Sequence, residues 1–201
     1  MYDYRHRTPE EREELVQNRL ARGYPPHQPP HPLHVAGVYL LTAACYEHAR
    51  HMASPARRQD LLGLIQQQCQ AREITLYAWV VLPNHYHLLA DVPEMSALGE
   101  LFRRAHGRTA HDWNEDDGAP GRRVWYRYSD RAMRSEAHFY AALNYVHANP
   151  VRHGWVASPY AWEESSVHWY LAQQGRSWLR DTWRAYPIGE MGAGWDEQGN
   201  R

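Results

Sequence analysis

With 201 residues, 43% hydrophobic and 22% charged, the chain has the make-up of about one globular domain with elaborated ends, which excludes wholesale disorder and a fibrous or collagen-like polymer. No apolar run approaches the ~20 residues a bilayer needs, and the polar stretch 1–7 has no apolar segment behind it, so the expectation is a cytoplasmic protein. The net charge of −1 conceals a bias: all 22 basic residues are arginine, beside 14 histidines and 9 tryptophans. Arginine in place of lysine follows from GC-rich coding DNA, but it also suits a surface that grips phosphates and stacks on bases. The two cysteines, Cys45 and Cys69, are too far apart for a disulfide framework or a thiolate zinc site.

The first predicted element is a helix over 8–22, with Thr8 as N-cap, Pro9 at the first helical position and Glu11 completing a capping box. Residues 24–34 hold five prolines and three histidines and read as a stiff extended arm. A strand over 37–45 precedes a helix that begins at Ser54 and Pro55 and carries Leu61, Leu62, Ile65 and Cys69 at helical spacing. The run 74–82 is apolar on both faces, as in a well-covered strand, and Pro83 and Asn84 break it. The next strand, 85–92, alternates: Tyr86, Leu88, Ala90 and Val92 share one face while His85, His87 and Asp91 take the other. A helix over 96–113, an acidic Gly-containing loop, a short strand over 124–128 and a helix over 135–149 stopped by Pro150 complete the pattern.

Strand, helix, two strands, helix, strand is the split βαβ order, so the expected fold is α+β, a ferredoxin-like βαββαβ core with an antiparallel sheet whose first and third strands are central. An additional helix and N- and C-terminal extensions surround it. The division expected is 1–35 for the first helix and arm, 36–154 for the core, and 155–201 for a Trp-rich extension packed on the core. Six of the nine tryptophans fall beyond Gly154, in segments whose order the sequence does not reveal.

Two histidines at i and i+2 on a strand project from one face with Cα atoms ~6.6 Å apart, close enough for both imidazoles to reach one divalent ion. In a chain this rich in histidine, exposed or hydrogen-bonded strand histidines are the competing explanation. On the later helix, Tyr145 and Asn149 stand at i and i+4, stacked on one face, so a phenolic oxygen would sit beside an amide ligand. A helical tyrosine is more often core or rim.

LPNHYHLL followed about sixty residues later by YVHANPVRHGWV resembles the HUH single-tyrosine transposases of the insertion-sequence 200/605 type, and most of all their REP-associated relatives. The resemblance runs from about residue 39 to about residue 170 and keeps the motifs' order and spacing. It implies an HUH nuclease fold, with His85 and His87 as the paired histidine ligands, Tyr86 at the bulky position between them, Tyr145 as nucleophile and Asn149 as the third metal contact. Pro83 and Asn84 match the turn before the motif. Trp162, Ser165 and Ser166 resemble a Trp-Ser-Ser segment of the family, interrupted here by Glu163 and Glu164.

The implied activity is cleavage and transfer of single-stranded DNA in bacteria, next to palindromic repeat hairpins, through a 5′-phosphotyrosine that leaves a free 3′-OH. The implied cofactor is Mg²⁺ or Mn²⁺. A tyrosine with an ordinary pKa of ~10 is a weak nucleophile at neutral pH unless its target is polarised, which such an ion would do. Asp91 is a candidate for the shell behind the ligands, and His138 for a contact on the tyrosine helix. The implied partner is hairpin DNA, which would draw the protein to the nucleoid, and the chain would act as a monomer or homodimer.

Residues 101–135 hold eight arginines against five acids. Arg103, Arg104 and Arg108 on a helix, and Arg122, Arg123 and Arg127 among Trp125, Tyr126 and Tyr128, are the candidate DNA contacts, with a solvated surface as the alternative. Two other functions stay open: a domesticated protein that holds hairpins with little or no cleavage, and a small-molecule metal hydrolase in which Tyr145 is incidental.

Overall fold

The computed structural model describes residues 8–21 and 36–192. The Pro/His-rich arm and residues 193–201 lie outside the described residues. The first helix, α1 (Pro9–Ala21), starts as its sequence demands: Glu11 N–H donates to Thr8 Oγ1 at 3.3 Å, and Thr8 N–H to the Glu11 carboxylate at 2.9 Å.

Four strands form one antiparallel sheet: β1 (Gly37–Ala44), β2 (Thr75–Val81), β3 (His85–Val92) and β4 (Ser129–Ala132). Their order, β2-β3-β1-β4, is the ferredoxin-like order and puts the histidine-bearing β3 inside the sheet. Period-two alternation divides the strands between two cores. Tyr39, Leu41 and Ala43 of β1, with Tyr86, Leu88, Ala90 and Val92 of β3, pack under α2 (Pro55–Gln70) and α3 (Met95–Asp116). Leu40, Val80 and Leu89 face the other way, under α4 (Glu136–Arg152) and α5 (Val167–Ala185). α4 lies across β2 and β3 and thereby brings its inner face over the histidines.

Two expectations need correction, and one region whose order the sequence left open gains a helix. The fourth strand is not 124–128 but β4, which follows it. Trp125 makes only an isolated bridge to Cys45; its ring stacks on His106 with centroids 4.3 Å apart and its Nε1–H donates to Thr109 Oγ1 at 3.0 Å. The apolar pattern there marks a loop anchored in the core, while β4 is an edge strand with little apolar character. Pro150 does not stop α4, which runs to Arg152 with the proline buried in its last turn. Packing offsets the missing N–H, and Trp155 N–H uses the Pro150 carbonyl at 2.9 Å. Finally, the Trp-rich region contains a full helix, α5, kinked at Gly175, where φ is +84°. Val167, Tyr170 and Leu179 enter the core, and Asn144 of α4 ties the end of α5 by donating to the carbonyls of Thr182 and Tyr186 at 3.1 and 2.7 Å.

The interrupted Trp-Ser-Ser segment finishes the sheet's β2 side. Trp162 Nε1–H donates to the Val81 carbonyl at 2.9 Å, Val81 N–H to the Glu164 carbonyl at 2.9 Å, and Trp79 N–H to Ser166 Oγ at 3.0 Å. Covering a strand edge in this way satisfies backbone groups that would otherwise invite pairing with another chain. The Glu164 carboxylate turns inward to Arg58 Nε at 2.9 Å, both side chains being buried, and the Arg58 guanidinium lies 4.7 Å from the Trp162 ring centroid.

Candidate active site

His85 and His87 project from β3 toward α4, and the structure brings Tyr145 and Asn149 down onto them. The Tyr145 hydroxyl is 3.4 Å from His87 Nε2, and Asn149 Oδ1 is 3.2 Å from His85 Nε2. The two imidazole centroids are 5.1 Å apart. Asn149, Tyr145 and His87 are fully buried and His85 is 5% exposed.

Each imidazole is oriented from behind. His87 Nδ1 is 2.8 Å from the hydroxyl of Thr42, its cross-strand partner on β1. His85 Nδ1 is 2.8 Å from Asn84 Oδ1. The Asn84 amide is set by its Nδ2–H donating to the His48 carbonyl at 3.3 Å, so its oxygen faces His85 and must accept from His85 Nδ1–H. Both ring nitrogens of His85 therefore face amide oxygens; with Nδ1–H donating to Asn84, Nε2 and Asn149 Oδ1 face each other as two acceptors, an arrangement that a cation between them would satisfy. Imidazoles that donate from Nδ1 and leave Nε2 for the site are the arrangement that metal-binding histidines adopt. Thr42 is a residue the sequence reading passed over, because only the strand register brings it beside His87.

Among the described residues no three His, Cys, Asp or Glu side chains are grouped to hold a metal ion. The donor set here is instead two imidazoles and an amide oxygen, which suits a divalent cation and leaves positions open for phosphate oxygens.

The surroundings of Tyr145 limit access. The Arg152 guanidinium lies 5.6 Å from its ring centroid. After α5 the chain turns back across it: Met191 is buried in the same cluster, and Gly192 sits so close that a Cβ there would be 2.7 Å from Tyr145 Cε2. His153, at the end of α4, has its ring 4.8 Å from that of His85.

The other expected residues fall elsewhere. Asp91 is four residues along β3 from His87, ~13 Å away, and its register partners are Val38 and Thr75. His138 sits in the first turn of α4, where its Nδ1 accepts from Arg134 N–H at 3.4 Å. Arg103, Arg104 and Arg108 are exposed on α3, in the layer behind the sheet, and each pairs with an acid of its own helix, Glu100 for the first two and Asp112 for the third. Arg122 is bound to Asp117 at 2.7 Å, and Arg127 is exposed. Arg123 stands apart from these, 4.5 Å from the centroid of Tyr46 and 5.6 Å from that of Tyr126. Tyr128 stacks on Phe102 with centroids 4.0 Å apart, as a core residue does.

No family model matches the chain. Over 100 residues, 48% of its length, it is 30% identical to the REP-associated tyrosine transposase of Escherichia coli (strain K12), a match that spans only 56% of that protein. A Haemophilus influenzae relative of the same designation is 27% identical over 146 residues, 66% of this chain and 80% of that one. A solved structure of a REP-associated tyrosine transposase bound to a REP hairpin superposes with a TM-score of 0.58 at 23% identity, covering 73% of this chain and 86% of that chain. The sheet order and the helix that crosses β2 and β3 fit a shared HUH-type fold. In sequence over part of its length, and in fold, the chain is similar to the REP-associated tyrosine transposases.

Proposed function

We propose that the chain is a metal-dependent single-stranded DNA endonuclease and strand transferase that acts beside palindromic hairpins. The observation that carries this reading is the meeting of the Tyr145 hydroxyl, the Nε2 atoms of His85 and His87, and Asn149 Oδ1 in one buried cluster. The REP hairpin held by the solved relative supports hairpin DNA as the partner.

His85, His87 and Asn149 would hold Mg²⁺ or Mn²⁺. Bound there, the ion supplies charge to a non-bridging oxygen of the scissile phosphate and so makes its phosphorus more electrophilic. Tyr145 supplies the nucleophile. Its oxygen forms one P–O bond as the bond to the leaving 3′ oxygen breaks, and the phenolic proton lost is balanced by the proton that the 3′ oxygen takes up. The product is a 5′-phosphotyrosine with a free 3′-OH. Another 3′-OH can reverse the step at the same site without a nucleotide cofactor, because one phosphodiester has been exchanged for another.

Burial of Tyr145 under Met191 and Gly192 favours a second reading, a domesticated hairpin-holding protein that cleaves little. Both readings share the DNA partner and differ in the adduct. Incubation with end-labelled hairpin DNA carrying single-stranded flanks, with Mn²⁺ or Mg²⁺ and then in excess chelator, separates them on a denaturing gel. The nuclease gives a metal-dependent covalent band; a pure binding protein gives a complex that denaturation dissolves.

A further inference from the structure

A second group of side chains lies beside the end of the sheet that carries His85. β1 sends Tyr39, Leu41 and Ala43 into the α2–α3 core, so the intervening Thr42 and Ala44 take the histidines' face, and Tyr46 opens the short 3-10 turn that follows the strand. Thr42 shows its side through its bond to His87. The segment 124–126 runs beside this end of β1: Tyr46 N–H donates to the Val124 carbonyl at 2.7 Å and Tyr126 N–H to the Ala44 carbonyl at 2.9 Å. Val124 and Trp125 both enter the α2–α3 core, while Tyr126 is only half-buried and lies beside Tyr46.

The rings of Tyr46 and Tyr126 are 5.0 Å apart, Arg123 lies over both, and the His48 ring is 6.0 Å from that of Tyr126. Ala44 is the register partner of His85 and Tyr46 is two residues farther along, which places the Tyr46 backbone within roughly 10 Å of that of His85. Asn84 joins the turn to His85 by donating from Nδ2–H to the His48 carbonyl at 3.3 Å while its Oδ1 lies 2.8 Å from His85 Nδ1. The turn that carries Tyr46 is unusual: Glu47 and His48 both have φ of +54°, a left-handed conformation that side-chain-bearing residues adopt only where the surroundings enforce it. Arg123 is exposed and both tyrosines are partly so, in contrast to Trp125 next to them.

We infer that Tyr46, Tyr126 and Arg123 form a stacking clamp for an unpaired base of the DNA strand that enters the His85–His87 site, with Arg123 also reaching that nucleotide's phosphate. The inference rests on the reading of the site as one for single-stranded DNA. An unpaired base offers a π face to a tyrosine whatever its identity, and a guanidinium beside the rings supplies both a cation–π contact and a fork of donors for phosphate. The α3 arginines lack this setting, since they lie behind the sheet with acids of their own helix.

The test uses the full chain with Tyr145→Phe, so that no strand is cut, and measures equilibrium binding to two hairpins, one with a single-stranded flank containing 2-aminopurine and one blunt. Tyr46→Ala and Tyr126→Ala should each weaken the flanked hairpin roughly tenfold, leave the blunt one within about twofold, and relieve the quenching of 2-aminopurine. Tyr126→Trp should retain binding. Arg123→Gln, a change at an exposed side chain that does not threaten the fold, should lower the log–log salt slope on the flanked hairpin by about 0.7, and Arg103→Gln should not. Equal losses on both hairpins, or none on the flanked one, would overturn the clamp while the nuclease reading stands. A parent protein that binds flanked and blunt hairpins alike would instead remove the single-strand reading itself, and the clamp with it.

Discussion

Gly192 lies flat against the ring of Tyr145: a Cβ at position 192 would stand 2.7 Å from Cε2 and 3.1 Å from the phenolic oxygen, and its backbone φ of +92° also suits glycine. The segment that follows α5 therefore closes over the proposed nucleophile, and it is held there by Asn144, the neighbour of Tyr145, through the end of α5. On the proposed function, a scissile phosphate would reach the hydroxyl by displacing this segment.

Gly192→Ala should lift the segment, because alanine fits neither the space nor the backbone. We expect adduct formation in single-turnover assays to rise severalfold while the melting temperature falls by a few degrees. An unchanged rate in a folded variant would show that the covering segment does not limit access.

Asn84 orients His85 from behind, through its Nδ1. Asn84→Ala should leave the fold intact and weaken Mn²⁺ binding, measured calorimetrically on the DNA-free protein, by about 10- to 100-fold. Mn²⁺ affinity equal to that of the parent would mean that the imidazole keeps its orientation by packing alone.

The fold was largely legible in the sequence because two periodicities were clean. β3 occupies the residues that alternation marked, and Ser54 caps α2, its hydroxyl accepting from Arg57 N–H at 3.3 Å. The catalytic candidates were legible for a related reason: i, i+2 on a strand and i, i+4 on a helix each fix a shared face. What connects them was hidden, since Thr42 meets His87 only through strand register, and Tyr46 meets Tyr126 only through pairing across 79 intervening positions. α5 escaped because Gly175 and a polar centre interrupt its apolar stripe, although Val167, Tyr170, Leu171, Trp178 and Leu179 keep helical spacing. The α3 arginines illustrate the opposite difficulty: local charge is visible in sequence, but the sheet face it lies behind is not.

Glu164, one of the two glutamates that interrupt the Trp-Ser-Ser segment, is buried against Arg58, whereas Glu163 is exposed. Glu164→Ala should destabilise the protein by about 3 kcal/mol, since it leaves a buried guanidinium without its carboxylate, and Glu163→Ala should cost little. Chemical denaturation of the two variants checks this. Equal, small effects would contradict a buried ion pair at this position.

Burial pushes His106 and His147 down to about 3, so both are neutral in the folded protein near neutral pH. His147 Nε2 is 3.0 Å from Ser166 Oγ, and His106 Nε2 is 2.7 Å from the Tyr86 hydroxyl, contacts that a neutral imidazole can make. The unfolded chain binds these protons at the ordinary histidine pKa of ~6.5, so the stability they contribute is full above that pH and is lost as pH falls toward 3. Each should add about 1.4 kcal/mol per pH unit to the slope below pH ~6. Because His51 and His138 are also lowered, the informative quantity is the difference between parent and His147→Gln, which should lose one imidazole's share between pH 6 and 5. Parallel stability curves would contradict a buried neutral His147.

The most direct measurement is the covalent adduct itself. Tyr145→Phe keeps the ring that packs on His87 and removes only the hydroxyl, so it should fold and bind hairpin DNA as the parent does. With Mn²⁺ and end-labelled, flanked hairpin DNA, the parent should give a protein–DNA species that survives denaturation, and the variant should give none. Tyr126 is half-buried beside Arg123, and Tyr140 packs on Tyr186 and Trp178 away from the histidines. An adduct that persists in Tyr145→Phe, or a parent adduct that is indifferent to excess chelator, would contradict the assignment of Tyr145, His85, His87 and Asn149 as one catalytic unit.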